Sequence, residues 1–133
     1  MIGLSFQETE GPEYPATAAF YGYMGASMAL VFANVGAAYG TYRAGVGIGS
    51  IGVTKPELIM KSIIPIVMAG ILGIYGMIVS VILIQKVNTR GDYTLYNGYA
   101  HLCAGLCCGL SSLTAGYAIG VVGNAGVKAN ALQ

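Results

Sequence analysis

Three long stretches of this chain contain no charged residue. Asp, Glu, Lys and Arg are absent from Ala16–Tyr42, Ser62–Gln85 and Tyr93–Val127, which hold 27, 24 and 35 residues. A helix of about 20 residues crosses the hydrocarbon core of a membrane, so each stretch is long enough to cross once. Strands in lipid would need a closed barrel to satisfy their backbone groups, and these stretches are too long for single buried strands. The sequence therefore predicts an all-α membrane protein with three transmembrane helices.

The composition excludes the other common classes. Charged residues make up 8% of the 133 residues and hydrophobic residues 56%, whereas an ordinary soluble domain carries roughly 25% charged residues. Disordered chains are polar and rich in charge, so disorder is excluded as well. A formal net charge of +1 gives no electrostatic basis for binding nucleic acid. We therefore expect the lipid bilayer, and no nucleic acid, as a partner.

The first uncharged stretch does not resemble a cleaved secretory signal. Such a signal has a basic leading region and an apolar core of roughly 7–15 residues. Here residues 1–15 carry Glu8, Glu10 and Glu13 without any Lys or Arg, and the apolar stretch that follows is much longer. We expect residues 1–15 to be an N-terminal tail and residues 16–133 to form one transmembrane domain.

The basic residues predict an orientation, because Lys and Arg near span ends favour the cytosolic side. The first connection carries three of them and the C-terminal tail one, whereas the second connection carries two and the N-terminal tail none. In chain order they are Arg43, Lys55, Lys61, Lys86, Arg90 and Lys128. This bias predicts a cytosolic first connection and C-terminus, and a luminal N-terminus.

The second span is expected to begin before its uncharged stretch. Lys55-Pro56-Glu57 places a proline where a first helical turn tolerates it and an acid near the positive end of the helix dipole. Pro65 lies further in and removes a backbone donor, so we expect a bend there.

The three spans differ in side-chain size. Ser62–Gln85 contains eight isoleucines, whereas Ala16–Tyr42 has eight alanines and four glycines and Tyr93–Val127 has seven glycines. Small residues allow helices to approach closely in lipid. We therefore expect the first and third spans to pack inside an assembly while the second faces lipid. The glycines expected to pack helices are Gly36, Gly40, Gly45, Gly47, Gly105, Gly109, Gly116, Gly120 and Gly123.

A weak internal repeat relates the first and third spans. Gly22-Tyr23 resembles Gly98-Tyr99, and Ala37, Tyr39 and Gly45 match Ala115, Tyr117 and Gly123. Duplicated helical units are common in membrane proteins. The pattern predicts a duplicated two-helix hairpin, with repeat one at about residues 16–92 and an incomplete repeat two at about 93–133. Three helices are thus present of an expected four.

Gly47, Gly49 and Gly52 match the spacing of the GxGxxG dinucleotide fingerprint. That motif needs a preceding strand and a following helix, whereas a transmembrane helix is predicted before it here. We expect close helix packing at these glycines and no cofactor. The chain also lacks a nucleophile–base pair, so no catalytic residue is predicted.

Cys103, Cys107 and Cys108 lie near His101 on the third span. Residues 101 and 103 point in different directions on a helix, and zinc sites usually need four ligands. We expect no metal and no disulfide framework, and we interpret the cysteines as small packing residues. His101 is open to two interpretations: a functional ionisable group in the membrane, or a neutral interfacial histidine bonded to the backbone. Asn34 is expected to join helices.

Apart from His101, the spans contain no titratable residue suited to carrying protons. Moving protons at membrane depth usually requires a carboxylate or an equivalent group there. The sequence therefore predicts no proton-binding residue in this chain.

Four segments resemble the proteolipid (c-type) subunit of the eukaryotic vacuolar-type proton-pumping ATPase. They are Gly36-Ala-Ala-Tyr-Gly40, Lys55-Pro-Glu-Leu-Ile-Met-Lys-Ser62, Gly73-Ile-Tyr-Gly76 and the stretch from Ala118 to Lys128. The resemblance runs from about Tyr21 to Gln133, and the segment beginning at Lys55 is its most specific part.

The resemblance implies a fold of two helical hairpins, several copies of which form a rotor ring in the membrane sector of a vacuolar or other endomembrane pump. Each copy carries one essential glutamate on its fourth helix, which exchanges protons with half-channels in a stator subunit. A separate peripheral sector hydrolyses ATP. The connection from Arg43 to Lys61 would face that sector and the central stalk.

Two positions depart from the family pattern. The glutamate belongs to the fourth helix, which these 133 residues do not contain, and Gly70 stands at its repeat-one counterpart. Asn124 stands where the family commonly has aspartate. The leading hypothesis is a proteolipid of the rotor ring that takes part in ATP-driven proton translocation. The alternatives are a non-transporting structural or regulatory ring subunit and an unrelated small channel-forming or tetraspan-like fragment.

Overall fold

The computed structural model describes residues 16–87 and 93–133, and these are helical apart from short connections. Helix α1 spans Ala16–Gly52, a 3-10 turn follows at Pro56–Leu58, and α2 is the single turn Ile59–Ser62. Helix α3 spans Ile64–Lys86 and α4 spans Leu95–Leu132. Within these described ranges, three helical segments are long and apolar enough to cross a membrane: Ala16–Gly52, Pro56–Lys86 and Leu95–Leu132. The prediction of an all-α, multi-pass membrane protein is confirmed.

Helix α1 continues well past the uncharged stretch and ends at Gly52. The backbone N–H groups of Thr54 and Lys55 both donate to the carbonyl of Ile51, at 2.9 and 2.8 Å. These bonds satisfy a carbonyl that the end of a helix would otherwise leave free. The chain then turns back towards the second span.

The second span is interrupted where the proline predicted a bend. The interruption falls at Ile63, two residues before Pro65, and the N–H groups of Ile66 and Val67 both donate to the Ile63 carbonyl, at 3.0 and 3.2 Å. Pro65 has no N–H to donate to the carbonyl four residues before it. The helical hydrogen-bond pattern is therefore interrupted and resumes at Ile64, which separates the short α2 from the long α3.

Thr94 sets the start of α4. Its backbone is extended, with φ −82° and ψ 160°, and its hydroxyl accepts a hydrogen bond from the N–H of Asn97 at 3.4 Å. A hydroxyl at the N-cap satisfies one of the free donors of the first helical turn. At the other end of α4, Lys55 Nζ donates to the carbonyl of Ala131 at 2.7 Å and ties the first connection to the end of this helix.

Helix α1 packs against α4 through backbone atoms. A Cβ added at Gly105 or Gly116 would meet the carbonyl oxygen of Gly25 or Gly36, and a Cβ at Gly98 would lie 2.7 Å from the carbonyl oxygen of Ala18. The contacts run in the same order along both helices with a constant sequence separation, so α1 and α4 are parallel. Glycine at these α4 positions lets the two backbones approach this closely. The short distance increases the dispersion attraction between the helices in lipid.

Helix α3 packs on another side of α1, in the opposite direction. A Cβ at Gly76 would meet Ala33, and one at Gly73 would lie 3.5 Å from the Cβ of Ala37. Nearer the connection, Ala69 approaches Gly40. Helix α1 is therefore the central helix, with α4 and α3 packed on different sides of it.

The remaining faces of α3 are apolar and exposed. The exposed side chains include Ile64, Val67, Met68, Ile74, Met77 and Ile82. In water such a surface would be costly, whereas lipid solvates it readily. Several Ser and Thr hydroxyl groups on α1 and α4 bond to carbonyls of their own helix, as Thr41 Oγ1 does with Ala37 at 2.7 Å. The surface thus suits a hydrocarbon environment.

Candidate functional site

An open groove of about 690 Å³ lies between α1 and α3 at the level of Gly70, and we call it the Gly70 groove. Its α1 wall contains Leu30, Asn34, Ala37, Ala38, Thr41 and Tyr42, and its α3 wall contains Gly70, Gly73, Ile74 and Met77. The groove forms because small residues of both helices face each other and leave space that side chains do not fill. A Cβ at Gly70 would meet no heavy atom within 4 Å.

The polar groups in the Gly70 groove are mostly used within α1. Asn34 Nδ2 donates to the Leu30 carbonyl at 2.8 Å, and Thr41 Oγ1 donates to the Ala37 carbonyl. Neither group exchanges protons under ordinary conditions. The described walls of the groove contain no carboxylate, and the space beside Gly70 has room for a side chain.

Asn34 lies where α1 and α3 meet. A Cβ at Gly73 would be only 2.9 Å from Asn34 Oδ1. The amide therefore touches the backbone of α3 while its nitrogen bonds within α1. This placement fits the expectation that Asn34 joins helices.

His101 pairs with Tyr93 at the opposite end of the helices from Lys55. Tyr93 is buried, with 3% of its surface exposed, and its hydroxyl lies 2.6 Å from His101 Nδ1. With the ring proton on Nε2, the Tyr93 hydroxyl donates and Nδ1 accepts. The rings stack with centroids 5.5 Å apart. Of the two interpretations of His101, the described contacts fit the interfacial one, with a tyrosine rather than the backbone as partner.

The cysteines do not form a site. Cys103 and Cys107 are exposed, Cys108 is half-buried, and all three are free thiols. Across residues 16–87 and 93–133, no group of three His, Cys, Asp or Glu side chains is placed to hold a metal ion. The glycines at 47, 49 and 52 lie within α1, whose last residue is Gly52.

The structure places the nine predicted packing glycines in different surroundings. Most of them face backbone or side-chain atoms of another helix at short distance: Gly36, Gly40, Gly47, Gly105, Gly109, Gly116, Gly120 and Gly123. By contrast, a Cβ at Gly45 would meet no atom of this chain within 4 Å. Gly25 was not among the nine, yet it contacts α4 as closely as Gly36 does. The packing role of the nine stays a prediction.

Sequence reasoning missed a cluster on the α1–α4 pair. Tyr39 and Tyr117 stack with centroids 5.1 Å apart and planes 15° apart, and Arg43 Nε donates to the Tyr39 hydroxyl at 3.0 Å. Nearby, Asn124 Oδ1 is buried without a hydrogen-bond partner in the described part of the chain. The internal repeat aligned the two tyrosines, which was the only sequence signal for this cluster. The N-terminal tail and Arg90 lie outside the described residues.

Part of the chain matches a known protein family. Residues 24–83, which include most of α1 and α3, match the family of ATP synthase C subunits. That match covers both helices that line the Gly70 groove.

The curated relatives are more specific. The V-type proton ATPase 16 kDa proteolipid of Ascaris suum is 58% identical over 122 residues, covering 91% of this chain and 76% of the relative. The V-type proton ATPase 16 kDa proteolipid subunit c 2 of Caenorhabditis elegans is 56% identical over 127 residues, covering 95% of this chain and 79% of the relative. The corresponding proteolipid of Chrysotila carterae is 58% identical over 123 residues, covering 90% and 75%. The chain therefore belongs to the family of V-type proton ATPase 16 kDa proteolipid subunits, which confirms the resemblance drawn from its motifs.

Proposed function

We propose that this chain is a rotor-ring subunit of a V-type ATPase and takes part in ATP-driven proton translocation across a vacuolar or other endomembrane. The observation that carries the proposal is the family relationship, with 58% identity to a V-type ATPase proteolipid over 91% of the chain. The packing supports it, because α1 and α4 meet through bare backbone while α3 presents bulky apolar side chains outwards. Such a unit can assemble side by side with copies of itself or related proteolipids.

Within the complex, the expected neighbours are other proteolipids in the ring, the membrane stator subunit and the central stalk. Within the first connection, residues 53–57 are exposed, and Lys55 bonds to the end of α4, so this turn offers a surface for the stalk. We further propose that residues 16–92 and 93–133 belong to two copies of one hairpin unit. The parallel contact of α1 and α4 is what a duplication predicts.

The part of the chain that the structure describes supplies packing surfaces and places no carboxylate inside a span. Glu57 is the single carboxylate within residues 16–87 and 93–133, and it lies on the first connection. Gly70 occupies the repeat-one counterpart of the family glutamate. A second candidate is a non-transporting structural or regulatory ring subunit, because residues 16–87 and 93–133 contain no carboxylate within the spans.

Assembly is tested by expressing the tagged chain in cells that contain a V-type ATPase and purifying it in mild detergent. We expect ATPase membrane subunits to co-purify in fixed proportion. A Gly116→Leu variant, which blocks the α1–α4 contact, should lose them, whereas Gly126→Leu, where a Cβ meets no atom within 4 Å, should retain them. Purification of the wild-type chain without any ATPase subunit would contradict the proposal.

The two candidate functions are separated by replacement. The chain is supplied either in place of a host proteolipid or alongside it, and ATP-driven acidification of isolated vesicles is measured. A non-transporting subunit should leave acidification intact only when the host proteolipid is also present. Acidification by a ring built from this chain alone would exclude the second candidate.

We also propose a cytosolic first connection and a luminal N-terminus, on the basis of the Lys and Arg distribution. In sealed vesicles of known sidedness, a membrane-impermeant maleimide should label a Thr54→Cys variant from the cytosolic face and a Thr94→Cys variant only after the membrane is opened. The unsubstituted chain controls for labelling of Cys103, Cys107 and Cys108. The reverse labelling pattern would overturn the orientation.

A further inference from the structure

The crevice between α1 and α4, on the face away from α3, contains two cavities in line, and we call it the α1–α4 crevice. The first, of about 380 Å³, is lined by Val35, Gly36, Tyr39, Leu113, Thr114 and Tyr117 and is almost wholly apolar. The second, also about 380 Å³, is lined by Arg43, Val121, Asn124, Ala125 and Lys128. Arg43 and Val121 each lie one helical turn beyond Tyr39 and Tyr117, so the cavities follow one another along the helices.

From the charge spacing we expect the basic part of the crevice at the level of the lipid headgroups. Arg43 is the first charged residue after Ala16–Tyr42, and Lys128 is the first after Tyr93–Val127. A helix of the length of α1, 37 residues, extends about 55 Å, whereas the hydrocarbon core is about 30 Å thick. Arg43 and Lys128 are therefore expected where the hydrocarbon core ends. The apolar cavity adjoins them on the hydrocarbon side.

Arg43 is held at the crevice, Lys128 lines it, and neither cation faces a carboxylate there. The stem of Arg43 packs on Gly120, where an added Cβ would lie 3.1 Å from Arg43 Cβ, and its guanidinium lies 5.6 Å from the centre of the Tyr39 ring. The residues lining the basic cavity include no acid, and Glu57, the one acid in the described ranges, lines a different cavity with Lys55. Their positive charge is thus available to an anion.

We propose that the α1–α4 crevice binds one anionic phospholipid. Its phosphate lies between Arg43 and Lys128, and one acyl chain follows the apolar cavity beside the stacked Tyr39 and Tyr117. An amphipathic ligand matches both the order and the polarity of the cavities, whereas a free phosphate would use only one of them. Assignment of the lipid to the cytosolic leaflet rests on the proposed orientation; the binding itself does not.

Native mass spectrometry of the 133-residue chain in mild detergent tests the proposal. Phosphatidylglycerol and phosphatidylcholine with identical acyl chains are titrated, and bound lipid is counted. We expect one phosphatidylglycerol to bind in preference to phosphatidylcholine. Arg43→Gln and Lys128→Gln should each weaken that binding about fivefold, whereas Lys86→Gln, at the other end of the helices, should leave it unchanged. Arg43→Lys should retain most of the binding and shows that the effect of Arg43→Gln is one of charge rather than of folding.

A second arm distinguishes a lipid from a free anion. Thr114→Trp fills the apolar cavity and leaves both cations in place, so it should weaken phosphatidylglycerol binding without changing any binding of inorganic phosphate. Equal binding of the two lipids, an unchanged affinity in Arg43→Gln and Lys128→Gln, or full competition by inorganic phosphate would each overturn the proposal. Labelling of Thr54→Cys and Thr94→Cys is independent of these results, so failure of the orientation is separable from failure of the lipid site.

Discussion

Gly116 and Gly36 meet backbone to backbone: a Cβ at Gly116 would lie 2.7 Å from the α carbon of Gly36 and would also collide with its carbonyl. The same relationship recurs at Gly105 with Gly25. Lipid gives apolar side chains little reason to associate, so helix pairing in a membrane depends on close contact of this kind. These two contacts fix the distance between α1 and α4. Both the proposed ring assembly and the proposed lipid binding in the α1–α4 crevice depend on that distance.

Replacement of Gly116 by leucine should destabilise the chain by roughly 1–3 kcal/mol, because the side chain forces α4 away from α1. The measurement is the midpoint of unfolding in mixed detergent micelles. Gly126→Leu is the matched control, since both changes gain the same helix propensity but only Gly116 faces backbone. Equal midpoints for the two variants would show that the contact is not required.

Introduction of a carboxylate at Gly70 should be tolerated, because a Cβ there meets no atom within 4 Å. Lipid disfavours the charged form of a carboxyl, so the group introduced by Gly70→Glu should stay protonated and react with a lipid-soluble carbodiimide. Peptide mapping by mass spectrometry should find the adduct at position 70 and no adduct in the spans of the wild-type chain. In Gly76→Glu, where the new side chain meets Ala33, we expect misfolding. A carbodiimide adduct within a wild-type span would contradict the absence of a proton-binding group.

The Tyr93–His101 pair should contribute to stability in a pH-dependent manner. Burial raises the pKa of the Tyr93 phenol above its usual 10.0, so the folded chain holds this proton more tightly than the unfolded chain does. The contribution of this protonated hydroxyl to the free energy of unfolding is therefore fully present below pH 10. It is lost as the pH rises through the pKa of Tyr93 in the folded chain. Tyr93→Phe should lose about 1 kcal/mol near neutral pH and show a shallower decline above pH 10. Tyr96→Phe, at an exposed tyrosine, should behave like the wild type, and a Tyr93→Phe curve parallel to the wild-type curve would refute this account.

The bond from Lys55 to the Ala131 carbonyl should secure the end of α4. A cation near a helix C-terminus contributes about 0.3–1 kcal/mol, and salt screens the effect. Lys55→Met should therefore increase amide hydrogen exchange in the last turn of α4 at low salt and have less effect at high salt. Lys61→Met, at another exposed lysine, serves as the control. Identical exchange in both variants would show that the bond is not formed in solution.

The sequence predicted the helical architecture correctly because charge spacing alone defines where a chain can enter lipid. It also located the interruption near Pro65, since a missing N–H acts locally. It did not separate Gly45 from Gly36, although both are glycines on α1. Whether a glycine meets a neighbour depends on the rotation and register of two helices, and neither quantity can be read from one helix by itself.

The sequence by itself determined the three stretches able to cross a membrane, the bulky apolar character of the second one and the membership of the proteolipid family. These follow from local composition and from motifs whose residues adjoin in the chain. The tertiary structure alone decided that Tyr93 reaches His101, that Gly70 opens onto a groove, and that Arg43 and Lys128 line one cavity. Those residues meet because the close approach of α1 and α4 and the antiparallel packing of α3 set distances that no local pattern encodes.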